Sequence, residues 1–370
     1  MSASLEGRID IELTPRGGAV NDVAIRSSRP HLAQRLMAGS TAQVAAERAG
    51  LMFSLCGKAQ RVAAETACEA AQGIQPDVLV HAAREQRVLI ELAQEHAWHL
   101  LLNWPRQTAI PPDMASLLAL RQASALIAGA ADPTRFIETL EGLLRDVFLG
   151  EPAPDWLARD LAAFDAWRRQ AATLPAKLFG AWTQAMDHGI SHAPLLPALH
   201  RLEAAQCMEL ARQALANEGF CARPEWAGKP AETGAIARMH EHPMLAAWIA
   251  RRGRGAGARL LARLLELADM PRRLRDGGSA VVKAFPLAEN VGMAAIETSR
   301  GLLIHALRLA QGRVADYRIV APTEWNFHPA GPLAQALVRL PAGDDAQVRA
   351  QAICQSLDPC VAFDVEYKHA

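Results

Sequence analysis

Two of the six cysteines sit in settings where a thiol could serve as a metal ligand or a nucleophile. Cys56 lies in Phe53-Ser54-Leu55-Cys56-Gly57-Lys58-Ala59-Gln60, a glycine-containing kink in or just before a helix. Free amides and the Lys58 ammonium there would favour thiolate over thiol. Cys360 follows Leu357-Asp358-Pro359, and a proline at that point fixes the backbone approach to the sulfur. Cys68 and Cys207 fall inside helical patterns and Cys221 and Cys354 lack partners, so all four read as buried, inert thiols. His188 and His192 have the i,i+4 spacing of a metal pair, but Gly189 and Pro194 oppose a helix there. His240 and His242, beside Pro243, mark a loop. No histidine lies in a nucleophile motif, which leaves a Cys–His hydrolase unsupported.

The elements that must position these thiols lie near opposite ends of the chain. Ile9, Ile11 and Leu13 alternate with acidic residues, Thr14 to Gly18 break the run, and Val20, Val23 and Ile25 resume it, which predicts a β-hairpin. A helix is expected from about Thr41 to Gln72. Residues from about 77 to 270 read almost wholly helical, with one segment starting at Asp155 as N-cap and carrying Trp156, Phe164 and Trp167 on one face. The proline-bearing breaks at Asn103-Trp104-Pro105, Pro111-Pro112-Asp113 and Pro152-Ala153-Pro154 are short turns between packed helices. A second hairpin is expected over Gly301–Leu309 and Arg313–Val320 around Ala310-Gln311-Gly312. The fold class is α+β, predominantly helical with small β-hairpins near both termini. Residues 1–370 read as one domain in which the segments 1–72 and 279–370 meet.

Lys+Arg and Asp+Glu both total 39 in 370 residues, so the chain lacks the cationic surplus of a nucleic-acid binder. With 51% hydrophobic and 21% charged residues it is not disordered. The most apolar stretch, Val88 to Trp104, contains Glu91, Glu95 and His96, so no membrane insertion is expected. There is no signal peptide pattern at the N-terminus, and six scattered cysteines suit a reduced, cytoplasmic protein.

Several motifs in order resemble the large subunit of nickel–iron hydrogenases. They are Leu5-Glu6-Gly7-Arg8-Ile9, Gly228 to Arg238, Glu297-Thr298-Ser299-Arg300-Gly301, Pro322-Thr323-Glu324-Trp325-Asn326 and Asp358-Pro359-Cys360. Most of residues 80 to 225 carry no motif of that family. The departures concern the metal ligands. The family holds nickel and iron with two Cys-x-x-Cys pairs, and here each keeps its first member, Cys56 and Cys360. Ala59 and Phe363 stand where the second, metal-bridging cysteines would be, and Ala63 and Glu366 replace the histidines that follow.

That pattern resembles the HupK/HoxV type of hydrogenase-maturation proteins, large-subunit relatives that act in assembly. The resemblance implies a non-catalytic scaffold. It would hold the Fe(CN)2(CO) half of the cofactor transiently on Cys56 and Cys360, without nickel, and pass it from the accessory proteins that build it to the hydrogenase large-subunit precursor. Two thiolates and two cyanides on ferrous iron carry about −2, so a buried cation and donors are required. Arg300 and the Pro322-Thr323 segment match the family positions that bond the cyanides, and an Arg300→Leu change is expected to lower the yield of bound iron and spare the fold. Glu6, His305 and Asp358 match supporting positions behind the metal. A divergent hydrogenase, or a metal-free homologue that binds maturation partners, are the alternatives.

Overall fold

The computed structural model describes residues 7–29, 32–53, 55–125, 132–181, 188–277 and 280–368. The N-terminal alternation forms the expected hairpin. Strands β1 (Arg8–Arg16) and β2 (Ala19–Ser27) pair antiparallel, with Ile11 opposite Ile25. Ile9, Ile11 and Leu13 share the buried face of β1 because strand side chains alternate.

The single helix expected over Thr41–Gln72 is two. Thr41 caps α1 (Ala42–Met52) through a 3.4 Å bond from the Val44 amide, and α2 (Gly57–Ala71) starts after a break that ends at Cys56. The break brings Gly57 against Gly50 of α1, where a Cβ would stand 2.5 Å from the Gly50 carbonyl oxygen. Only glycine permits that approach, so the kink read from the sequence is a tight crossing of two helices. Asp77 caps α3 (Val78–Trp98) by accepting from the Leu79 amide at 2.8 Å. Beyond Trp98 the helix widens over His99–Asn103, and the Trp104 amide bonds back five residues to the His99 carbonyl.

Farther along, Asp155 does not cap the aromatic segment. It lies inside a short helix, Ala153–Leu157, and Asp160 caps the next, Leu161–Gln170, by accepting from the Ala163 amide. Both residues are good caps, and the proline at Pro154 favours the first helical turn over a cap at Asp155. Trp156, Phe164 and Trp167 still meet in one cluster with ring centroids 5.3–6.0 Å apart. The long helix α4 (Ala256–Asp276) is buried along most of its length and closes the helical middle.

The C-terminal hairpin is half of a larger sheet. Strands β3 (Val282–Ala288), β4 (Val291–Thr298), β5 (Gly301–Ala310) and β6 (Arg313–Val320) form an antiparallel meander. β4 escaped sequence reading because it is buried along its full length, which erases the period-two pattern. The short helix α5 (Pro322–Asn326), then α6 (Ala346–Ser356), lead to a last strand, β7 (Ala362–Tyr367), also not foreseen. β7 pairs parallel with β1, with Phe363 opposite Ile9, so the segments nearest the two ends meet in one three-stranded sheet.

Candidate functional site

Cys56 is the N-cap of α2 and Cys360 stands two residues before β7, yet both line one cavity of about 90 Å³. That space exceeds the roughly 10–15 Å³ that holds one water several-fold. Arg29, Cys221, Tyr317 and Glu324 also border it. Cys221 was read as an inert core thiol. Its sulfur points to the Ala214 carbonyl at 3.9 Å and burial pushes it up to about 11, which keeps it protonated.

The expectation that helix amides and Lys58 would make Cys56 a thiolate is not met. Glu91 of α3 takes the orphan amides instead, accepting from Lys58 N and Ala59 N at 2.8 Å each. Burial, reinforced by Cys360 and Glu91, pushes the Cys56 thiol up to about 12 against the opposing pull of Arg300 and Gln60. Glu91 itself is raised to about 7, mainly by burial.

Cys360 is held by Thr323 at the start of α5. The Thr323 hydroxyl donates to the sulfur at 3.1 Å and accepts from the Cys360 amide at 3.3 Å. Pro322 occupies the first turn of α5 and is buried, so it fixes the backbone from which Thr323 projects. On the cavity side, the Arg29 guanidinium meets Glu324 at 3.2 Å. Burial opposes the Arg29 charge, and the neighbouring Cys360, Glu324 and Cys56 outweigh it. Nothing in the sequence around Arg29 signalled this position.

Arg300 is no surface arginine: it is 3% exposed. Its Nη2 reaches Glu95 at 3.0 Å and its Nε lies 3.3 Å from Asp358. Burial works against its charge, and Asp358, Glu95, Cys360 and Cys56 together hold it firmly protonated. Burial pushes Glu95 up despite this partner, whereas Arg300, His99 and Arg263 keep Asp358 well below the usual carboxylate range. Asp358 therefore carries the compensating anion, with His99 Nε2 at 2.6 Å, and burial lowers the pKa of that imidazole against the opposing pull of Asp358. Arg300 lines a second, smaller cleft with Arg259, Arg263 and Asn326. Its Nη1 is buried with no hydrogen-bond partner among the described residues.

The sequence motifs converge on this core. Asn326 accepts from the Thr233 amide at 3.0 Å and donates to the Thr233 and Arg300 carbonyls at 3.2 and 3.4 Å. Arg238 bonds Glu297 at 2.7 Å and Glu266 at 2.6 Å. Gly301 has φ +131°, and a Cβ there would lie 2.8 Å from the Gly234 amide nitrogen, so the two glycine-containing turns touch backbone to backbone.

Among the other expected positions, His305 is fully buried and bonds Gln60 and Tyr317. Glu6 lies outside the described residues. Ala59 and Ala63 are buried in α2, Phe363 is half-buried on β7, and Glu366 is exposed. His188 and His192 flank a non-helical stretch, and no cluster of three or more His, Cys, Asp or Glu arranged for a metal occurs among the described residues.

Residues 262–366 match the nickel-dependent hydrogenase family model. Over its full length the chain is 31% identical to hydrogenase expression/formation protein HupK of Bradyrhizobium diazoefficiens, covering 99% of that protein. It is 33% identical to hydrogenase expression/formation protein HoxV of Cupriavidus necator, covering 99% of this chain and 97% of that one. The chain belongs to the HupK/HoxV family of hydrogenase expression/formation proteins. Among solved structures, the nickel–iron–selenium hydrogenase of Desulfomicrobium baculatum superposes with TM-score 0.62 at 15% identity, over 94% of this chain and 95% of that one. The HupK/HoxV-type chain thus has a hydrogenase-large-subunit fold. Among its described residues no helix is long and apolar enough to cross a membrane.

Proposed function

We propose that this HupK/HoxV-type protein acts in hydrogenase maturation as a non-catalytic cytoplasmic scaffold. It receives the Fe(CN)2(CO) unit from the accessory proteins that assemble it and delivers it to the hydrogenase large-subunit precursor. The observation that carries this reading is the meeting of Cys56 and Cys360, 304 residues apart in sequence, on one cavity. Low-spin ferrous iron with two cyanides and one carbonyl has room for about two further strong donors, and thiolates suit it. The cargo is anionic, and the Arg300 guanidinium, which interacts electrostatically with both cysteines, keeps a buried Nη1 without an acceptor among the described residues, as a cyanide nitrogen requires. Arg29 offers a second cation on the cavity side.

Burial pushes the Cys56 thiol up to about 12 in the free protein, so binding iron must displace its proton. That requirement weakens net binding and favours later release. Ala59 and Phe363 bring no donor atom to the positions where bridging sulfurs would be needed, so hydrogen turnover and nickel binding are not expected.

The test is infrared spectroscopy of protein produced anaerobically with the host's accessory proteins. Cyanide and carbonyl stretches are expected in the unaltered protein and lost in Cys56→Ala and Cys360→Ala. Their absence from the unaltered protein, or stoichiometric nickel with hydrogen uptake, overturns the scaffold reading.

A further inference from the structure

A line of buried polar side chains ends on one of the two thiols. Gln60, one turn along α2 from Cys56, places its amide nitrogen 3.6 Å from the Cys56 sulfur. His305 of β5 brings Nε2 to 2.8 Å from the Gln60 Oε1, and its Nδ1 lies 2.7 Å from the Tyr317 hydroxyl on β6. None of the three side chains' residues is more than 1% exposed. Helix, central strand and neighbouring strand thus contribute one member each.

The bonding has a single consistent direction. A glutamine amide has one donating and one accepting end. With its nitrogen on sulfur, its oxygen must accept, so the His305 proton sits on Nε2. Burial holds the His305 pKa down to about 3, so the imidazole is neutral and Nδ1 is an acceptor. Tyr317 must then donate. The three donations run from Tyr317 to His305, from His305 to Gln60, and from Gln60 to Cys56.

An N–H aimed at sulfur is poorly used by a thiol and well used by a thiolate that shares its charge with a metal. Cys360 differs: its donor, Thr323, also accepts from the Cys360 amide and is fixed locally. We propose that Gln60, His305 and Tyr317 are positioning residues, a one-way relay that fixes a single N–H donor on the Cys56 sulfur and limits the electron density this ligand gives to iron. The proposal rests on the scaffold reading and extends it. Outer partners of this kind set ligand orientation and donor strength in metal sites. A weaker thiolate donor suits a protein that must release its cargo.

Two measurements test it. In metal-free protein, nitrogen-15 NMR should show His305 protonated at Nε2 and not at Nδ1. The opposite tautomer reverses the direction at Gln60 and overturns the relay, whether or not iron binds. In iron-loaded protein, Gln60→Leu should move the carbonyl stretch to lower wavenumber, as a stronger thiolate donor feeds more density to iron. Gln60→Glu, which accepts from His305 and cannot donate to sulfur when ionised, should shift it the same way. His305→Phe leaves the amide free to turn and should do likewise, although it touches neither thiol. Wild-type band positions in all three variants, with melting temperatures near native, would defeat the proposal. Bands missing from the unaltered protein would sink the scaffold reading, and the tautomer would still decide the direction of the chain.

Discussion

The Thr323 hydroxyl bonds the Cys360 residue twice, donating to its sulfur and accepting from its amide. In the free protein this hydroxyl proton is therefore directed at sulfur rather than at an open cyanide position. Thr323→Ser keeps both bonds. Thr323→Val keeps the shape and leaves the Cys360 amide without its acceptor, a loss of about 1 kcal/mol of stability. Urea denaturation of both variants checks this, and equal midpoints would show that the bond contributes nothing.

Arg300 requires a revision of what its replacement does. The sequence reading expected Arg300→Leu to spare the fold. The guanidinium, however, stands between Asp358 and Glu95, and Asp358 is held ionised in the interior. Removing one member of a buried pair strands the other charge and costs about 3–5 kcal/mol. Arg300→Leu should therefore lower the denaturation midpoint sharply as well as abolish iron binding. Asp358→Asn combined with Arg300→Leu should recover part of the lost stability. A single variant as stable as the unaltered protein would show that Asp358 is not charged.

How much of this was legible depends on the kind of signal. The hairpin of β1 and β2 was readable because one face is wet and the hydrophobic alternation survives. Strand β4 is buried on both faces and offered no period, and β7 is a six-residue edge whose paired residues on β1 are 354 positions away. Cys56, Cys360, Arg300 and Thr323 were found because their neighbours in sequence form motifs. Glu91, Glu95, His99 and Arg263 were not, since each lies on an ordinary helical pattern and acquires meaning only through another element: Glu91 at the start of α2, Glu95 at Arg300, and His99 and Arg263 at Asp358. The Cys56 environment was misjudged for the same reason: the residue that takes its helix amides comes from another helix.

Glu91 makes stability pH-dependent near neutrality. Its carboxyl is raised from 4.5 to about 7 by burial, so between those values the folded state binds more protons than the unfolded. Stability from this group is present below about pH 4.5 and declines as pH rises through 7. Glu91→Gln should flatten the decline, measured as denaturation midpoints from pH 5 to 8. The same fall in Glu91→Gln would assign it to another group. Glu91→Ala should be less stable than Glu91→Gln, because it leaves the Lys58 and Ala59 amides without a side-chain acceptor.

His305 supplies a pH test in the opposite sense. Its imidazole is held down to about 3 by burial, against 6.5 when unfolded. Between those values the unfolded chain binds the extra proton, so stability falls as pH drops below about 6.5, at up to about 1.4 kcal/mol per pH unit. Carbon-13 NMR of the His305 ring should show a neutral imidazole at pH 5. A protonated ring near pH 6 would contradict both this slope and the Tyr317 hydroxyl donating to Nδ1.

The positions that lack the second cysteines have been absorbed into packing. Ala59 is 1% exposed in the main hydrophobic core, and Phe363 packs beside the core beneath β1. Adding a sulfur at the first overfills a packed site, at about 1–3 kcal/mol. Trimming the half-buried ring at the second removes part of the roughly 3–5 kcal/mol that deleting a fully buried phenylalanine costs. Ala59→Cys and Phe363→Cys should therefore each lower the melting temperature. On the scaffold reading, the double variant gains two thiolates, each three residues along from Cys56 or Cys360, holds the iron unit more tightly and releases it more slowly to the precursor. The measurement is the decay of its cyanide bands when apo-precursor is added, compared with the unaltered protein. Equal or faster decay would mean that the missing cysteines do not govern release.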